Sequence, residues 1–262
     1  MNFGKIFDLA GKHALVVGAG GAIGRSICFG LSEFGARVAC LDINSETATA
    51  AALAVQKSGS SDAFAVPCDV RNTEQIESAV SAVVGRFGRI DILVQAAGNG
   101  ILKPTVDFTL DDWEEMVRVY LRSTFLFAKL VGKQMIERGG GSIINISSVA
   151  SVVALGRGTA AYAAVKAGVN GLTRELALEW AKFGVRVNAI APCQIDTPQL
   201  RRLLADPQFD PDRLMKTWLD AIPMGRIGEP EEIVGPCIFL ASDASTLVTG
   251  QVLFVDGGYT IK

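Results

Sequence analysis

Tyr162 and Lys166 stand four residues apart in the run Tyr162-Ala163-Ala164-Val165-Lys166, at the start of a long apolar stretch with helical spacing. On a helix that spacing puts a phenol and an ammonium on one face. A tyrosine with its ordinary pKa near 10 is a weak base at neutral pH, but an adjacent cation favours the phenolate. Tyr162 can then exchange a proton with an alcohol or carbonyl oxygen. A Tyr-x-x-x-Lys pair by itself is more often structural than catalytic, so other residues must support the reading. Upstream, an apolar run ends in Ser147-Ser148, which predicts a hydroxyl at the carboxyl edge of a sheet, where open α/β folds bind ligands.

A second cluster suits a nucleotide. After the first apolar run comes Val17-Gly18-Ala19-Gly20-Gly21-Ala22-Ile23-Gly24 and then a helical stretch. Glycines there let the backbone approach a pyrophosphate, whose charge meets the free N–H groups at the helix start. The glycine spacing is not that of the dinucleotide fingerprint G-x-G-x-x-G, and alone it is a weak signal. Asp42 strengthens it. It lies 24 residues past Gly18, close to the roughly 20 expected of a carboxylate on the adenosine ribose. A carboxylate there would repel the extra phosphate of NADP, and neither Ile43, Asn44 nor Gly21 supplies a cation to attract one, so the expected cofactor is NAD.

The elements that must position these groups follow a regular rhythm. Short apolar runs at 13–17, 37–41, 63–66, 90–95, 142–147, 185–191 and 251–255 predict strands. Helical spacing lies between them, as at 23–34, 73–87, 111–137 and 160–183. The alternation predicts a single-domain, Rossmann-like α/β fold over residues 1–262: a doubly wound parallel sheet of about seven strands with helices on both faces. One segment, 194–223, carries Pro198, Pro207, Pro211 and Pro223 with charges between them, and is expected to be a mobile lid inserted over the site.

Composition excludes several alternatives. The chain has 262 residues, 49% hydrophobic and 20% charged, with a net charge of −2, so no basic surface for nucleic acid is expected. Its five widely spaced cysteines include no C-x-x-C pair, and its single histidine, His13, leaves neither a zinc site nor a Ser-His-Asp triad to assemble. Residues 1–12 lack the apolar core of a signal peptide, and no apolar run reaches the roughly 18 residues of a membrane span, so a cytoplasmic location without membrane contact is expected.

With these motifs in hand, the chain resembles the short-chain dehydrogenase/reductase family from about Leu9 to Thr260. The resemblance rests on the glycine turn, Asp69-Val70, Ala97-Gly98, Asn145-Ile146-Ser147-Ser148, Tyr162 with Lys166, and Asn188-Ala189-Ile190-Ala191-Pro192. Ile195 with Thr197, Pro223-Met224-Gly225-Arg226, Gly250-Gln251 and Val255-Asp256-Gly257-Gly258 complete it. It implies an NAD-dependent oxidoreductase interconverting a secondary alcohol and a ketone. In that reading Tyr162 is the acid/base, Lys166 lowers its pKa and holds the nicotinamide ribose, and Ser148 binds the reacting oxygen. The cofactor would lie along Gly18, Gly20, Gly21, Ile23, Gly24 and Asp42, with Asp69 and Val70 at the adenine. Ala97, Gly98, Pro192, Ile195 and Thr197 would meet it toward the nicotinamide. A homotetramer built through 111–137 and 160–183 is also implied.

The chain departs from the family at Val17, Ala22, Gln95-Ala96 and Cys193. Tyr120 stands where the family commonly has an asparagine that holds a water of the proton relay to Lys166. Ser148 precedes Tyr162 by fourteen residues, one more than the family spacing, which leaves Ser147 as an alternative for the serine role. Arg157 in the Ser-to-Tyr loop, and Arg201 and Arg202 in the lid, are guanidinium forks suited to an anionic group. The expected substrate is a small polyol or sugar acid. Two rival readings are a 3-oxoacyl (acyl-carrier-protein) ketoreductase, which would prefer NADPH and a basic docking patch, and a dinucleotide-binding sensor with little catalysis.

Overall fold

The computed structural model describes residues 3–57, 62–98, 100–156, 158–207 and 210–262. Seven strands form one sheet: β1 (His13–Val17), β2 (Arg37–Asp42), β3 (Ala63–Pro67), β4 (Ile92–Gln95), β5 (Gly141–Ile146), β6 (Val185–Pro192) and β7 (Val252–Val255). Their order is β3-β2-β1-β4-β5-β6-β7, and every pairing is parallel. The chain winds one way from β1 to β3 and the other way from β4 to β7. The reversal lies between β1 and β4, and a crevice opens there beyond the carboxyl ends of the strands.

Burial on both faces explains why the strands are continuous apolar runs rather than alternating ones. Along β1, Ala14 and Val16 enter one core cluster with Ile27, Leu31 and Ile238, while Leu15 and Val17 enter the other with Phe127, Val131 and Trp180. This is the two-residue period of a strand. Two helix layers close over the sheet. They are drawn from α1 (Ala22–Glu33), α2 (Ser45–Lys57), α3 (Thr73–Phe87), α4 (Leu110–Met116), α5 (Ser123–Glu137), α6 (Ala160–Trp180) and, nearer the C-terminus, α9 (Val234–Ala241).

Two expectations need correction. The stretch 111–137 is not one helix: α4 passes into a π-helical turn, Val117–Arg122, before α5 begins. The hydroxyls of Ser123 and Thr124 donate to the carbonyls of Val119 (2.5 Å) and Tyr120 (2.7 Å), satisfying acceptors in the widened turn. Among its described residues the segment 194–223 also holds two helices, α7 (Pro198–Leu204) and α8 (Pro211–Ala221), where its prolines suggest broken chain. Two of its prolines, Pro198 and Pro211, sit at helix N-termini, where the missing N–H costs nothing, while Pro207 and Pro223 lie in turns outside the helices. Thr197 caps α7 and Asp210 caps α8, and Leu214 and Trp218 bury the inner face of α8. Among the described residues no helix is long and apolar enough to cross a membrane.

Candidate active site

The carboxyl ends of β1, β2, β4, β5 and β6 and one face of α6 build the site. β5 delivers Ser147 and Ser148 at its carboxyl end, and α6 carries Tyr162 and Lys166 in its first two turns. Adjacent serines face opposite ways, and this separates their roles. Ser148 hydrogen-bonds the Tyr162 phenol, whereas the Ser147 hydroxyl donates to the Lys166 carbonyl oxygen (3.5 Å). Ser148 also accepts from the Ala150 N–H (3.1 Å), which fixes its rotamer. The one-residue excess in the Ser-to-Tyr spacing therefore leaves Ser148, and not Ser147, bonded to the phenol.

Tyr162 keeps part of its surface open to the cleft, but the surrounding protein raises its pKa, with the Ser148 hydrogen bond pulling the other way. Lys166 is 5% exposed, and burial lowers its pKa to about 7. Its Nζ donates to the Ile146 carbonyl oxygen (2.6 Å) and lies 4.7 Å from the ring centroid of Tyr120 and 5.7 Å from that of Tyr162. The two phenol rings meet edge to face at 5.5 Å.

The nucleotide end fits a dinucleotide. Gly18 follows β1 at φ +83°, and a Cβ there would lie 2.6 Å from the Ala97 nitrogen, so only glycine lets these two strand ends approach. Gly21 caps α1 without a side-chain hydrogen bond, which leaves the first-turn N–H groups no side-chain acceptor and open to a phosphate. Asp42 ends β2 and accepts from the Gly20 N–H (3.0 Å) and the Asn44 N–H (3.1 Å), which aims its carboxylate at the same turn. Gly20, Ile23 and Gly24 complete that turn.

Asp69 behaves differently from a bare adenine contact. Arg71 grips its carboxylate through Nε and Nη2 (2.8 and 2.7 Å), and this ion pair lowers its pKa. Val70 packs against the core beside it. Ala97 and Gly98 follow β4, and Pro192 ends β6. Beyond it Ile195 bridges to Gly228, and the Thr197 hydroxyl is spent on the cap of α7. Cys193 replaces a glycine without strain, because no described non-glycine residue has positive φ.

Of the arginines, Arg201 pairs with Asp196 through two bonds of 2.7 Å, so its fork is already met within the lid. Arg202 is exposed and its Nε donates to the Pro198 carbonyl oxygen (3.2 Å). Arg157 lies outside the described residues. The structure adds two lid residues. Gln199 reaches the site mouth: a Cβ built on Gly100 would lie 3.4 Å from its Nε2 and 3.8 Å from the Tyr162 ring. Gln194 is buried, with an Oε1 that has no hydrogen-bond partner among the described residues. Neither follows a motif, and only the path of the lid brings them in.

Comparison with known proteins extends this geometry. A family model described as enoyl-(acyl carrier protein) reductase matches residues 18–260. The D-threitol dehydrogenase of Mycolicibacterium smegmatis is 42% identical over 257 residues, covering 98% of this chain and 95% of that protein. The NAD-dependent glycerol dehydrogenase of Listeria innocua is 37% identical, covering 99% of this chain and 98% of its own length. Among solved structures, a gluconate 5-dehydrogenase from Burkholderia cenocepacia in complex with NADP and tartrate superposes with a TM-score of 0.91 at 39% identity, covering 98% of both chains.

Proposed function

The chain belongs to the short-chain dehydrogenase/reductase family, and from that premise we propose that it is an NAD-dependent dehydrogenase of a small polyol. It interconverts a secondary alcohol and a ketone. The observation that carries the reading is the Ser148–Tyr162–Lys166 cluster at the carboxyl end of β5, on the same edge of the parallel sheet as the glycine turn that follows β1. When bound, the nicotinamide supplies the hydride acceptor. Tyr162 takes the hydroxyl proton of the alcohol, Ser148 orients the reacting oxygen, and Lys166 in its charged form stabilises the phenolate.

The choice of NAD over NADP rests on Asp42. Its carboxylate would repel a 2′-phosphate, and its bond to the Gly20 N–H ties that charge to the cofactor turn. The choice of a polyol over a sugar acid rests on Arg201, whose charge Asp196 already meets. Initial rates with NAD and NADP across matched neutral and anionic polyols test both points. We expect a higher kcat/KM with NAD and with the neutral member of each pair. Asp42→Ala should lower the NAD:NADP ratio by roughly 10- to 100-fold, the equivalent of 1.4 to 2.7 kcal/mol of lost discrimination. A preference for the anionic member would return the assignment to Arg202 and Arg157.

A tetramer is part of the same proposal. Val117, Leu121, Phe125 and Leu172 line an apolar groove of about 510 Å³ with Gly168 and Gly171 along α5 and α6, and Phe125 is 44% exposed within it. Sedimentation should give a tetramer for the wild type and smaller species for Phe125→Asp. An unchanged tetramer in that variant would place the interface elsewhere.

A further inference from the structure

Tyr120 is the one departure from the family pattern that reaches the reacting groups. Its ring faces Lys166 Nζ at 4.7 Å and meets Tyr162 edge to face. The side chain is 5% exposed. It also requires the glycine at Gly98, where a Cβ would fall 2.2 Å from the Tyr120 ring.

The ring is held from behind. Tyr120 sits in the π-helical turn, and its carbonyl oxygen accepts from the Thr124 hydroxyl (2.7 Å). The Thr124 carbonyl oxygen accepts from Gln95 Nε2 (3.2 Å), which also donates to Asn145 Oδ1 (3.0 Å) on β5. Asn145 in turn donates to the Thr173 hydroxyl (2.9 Å) on α6, the helix that carries Lys166. A second departure from the family pattern, Gln95, thus braces the turn that presents the first.

The surroundings of Lys166 leave the ring little competition. Its own helix contributes Tyr162, and β5 contributes the Ile146 carbonyl oxygen and the neutral hydroxyls of Ser147 and Ser148. The carboxylates of α4 are engaged or exposed: Asp112 pairs with Lys103, Glu114 with Arg118 and Glu115 with Arg71, while Asp111 faces solvent. Among the described residues no carboxylate pairs with Lys166.

Resting on the dehydrogenase reading above, we propose that Tyr120 is a positioning residue whose ring face, through a cation–π contact, holds Lys166 in its protonated form where the family commonly uses a hydrated asparagine. A desolvated ammonium over a phenol ring is favoured over the neutral amine, because the negative face of the ring stands in for lost water. Burial drives Lys166 toward neutrality, and the ring opposes it. Without that opposition less positive charge stands beside Tyr162, so the phenolate forms only at higher pH.

Fluorinated phenylalanines at position 120 test this, because each fluorine weakens the ring face while nearly preserving its shape. In cofactor-free protein with 15N-labelled lysine, the Lys166 titration should fall from phenylalanine to the trifluoro ring by about one pH unit in all. In the loaded enzyme, the acid limb of kcat/KM for alcohol oxidation should move upward along the same series. Tyr120→Phe should leave both values within about 0.3 pH unit of wild type, whatever its rate, because it keeps the ring face. Tyr120→Leu should shift both as the trifluoro ring does. A flat series, or a shift in Tyr120→Phe equal to that in Tyr120→Leu, overturns the proposal, since packing or the hydroxyl would then be responsible. Failure of the dehydrogenase reading looks different: no alcohol would turn over, while the Lys166 titration would still report on the ring.

Discussion

Tyr162→Phe should lower kcat for alcohol oxidation by roughly 100- to 10,000-fold, the range that a positioned acid/base contributes. The phenylalanine keeps the ring that packs against Tyr120 and loses only the hydroxyl bonded to Ser148. Folding and NAD affinity should therefore hold, with the cofactor dissociation constant within about twofold of wild type. Stopped-flow NADH formation together with fluorescence titration of NAD separates the two quantities. A loss below about tenfold would mean that another group moves the proton. A parallel loss of NAD binding would mean that the phenol is part of the cofactor cradle rather than the chemistry.

Lys166→Met should have an equally large effect of two opposite kinds. Activity should fall by roughly 100-fold or more, because the buried charge beside Tyr162 is removed. Stability should lose a pH dependence. Folded Lys166 titrates at about 7, well below its ordinary 10.5. Between those values the unfolded chain binds the proton that the folded chain has released, so this group makes stability rise with pH from about 7 to about 10.5 and contributes no slope outside that window. Thermal unfolding at pH 7, 8 and 9 should show the rise in wild type and a flatter line in Lys166→Met. Methionine also leaves the Ile146 carbonyl oxygen without its donor, a loss of about 1–3 kcal/mol that does not vary with pH. The slope is therefore the informative quantity, and an equal slope in both proteins would mean that Lys166 is already hydrated.

In the dehydrogenase reading proposed above, the position of Lys166 is a compromise between folding and chemistry. An amine placed 5% exposed against a single carbonyl oxygen and two rings destabilises the fold at neutral pH. It also keeps a titratable cation poised near pH 7, where a proton can be exchanged cheaply. A similar economy governs Asp42, whose carboxylate is held by two backbone N–H groups beside a turn that would hold a phosphate.

What the sequence determined by itself is whatever depends on near neighbours along the chain. The two-sided apolar runs specify a buried parallel sheet, because a strand covered on both faces has no polar alternation to show. The glycine turn and Asp42 are legible because a strand-to-helix turn and the end of the next strand lie at nearly constant separation in this architecture. Tyr162 and Lys166 are legible because four residues bring them onto one helix face. The tertiary structure alone decided the rest, because those features depend on contacts between distant segments. Whether Ser147 or Ser148 meets Tyr162 turns on a one-residue step at the end of β5, which reverses the side chain's face. Pro198 and Pro211 read equally well as breakers or as helix starts until the caps at Thr197 and Asp210 are seen. The Arg201 fork suggests an anion until Asp196 is found paired with it. Tyr120 marks a departure from the family in the sequence, but only the π-helical turn, braced through Thr124 and Gln95, lays its ring against Lys166.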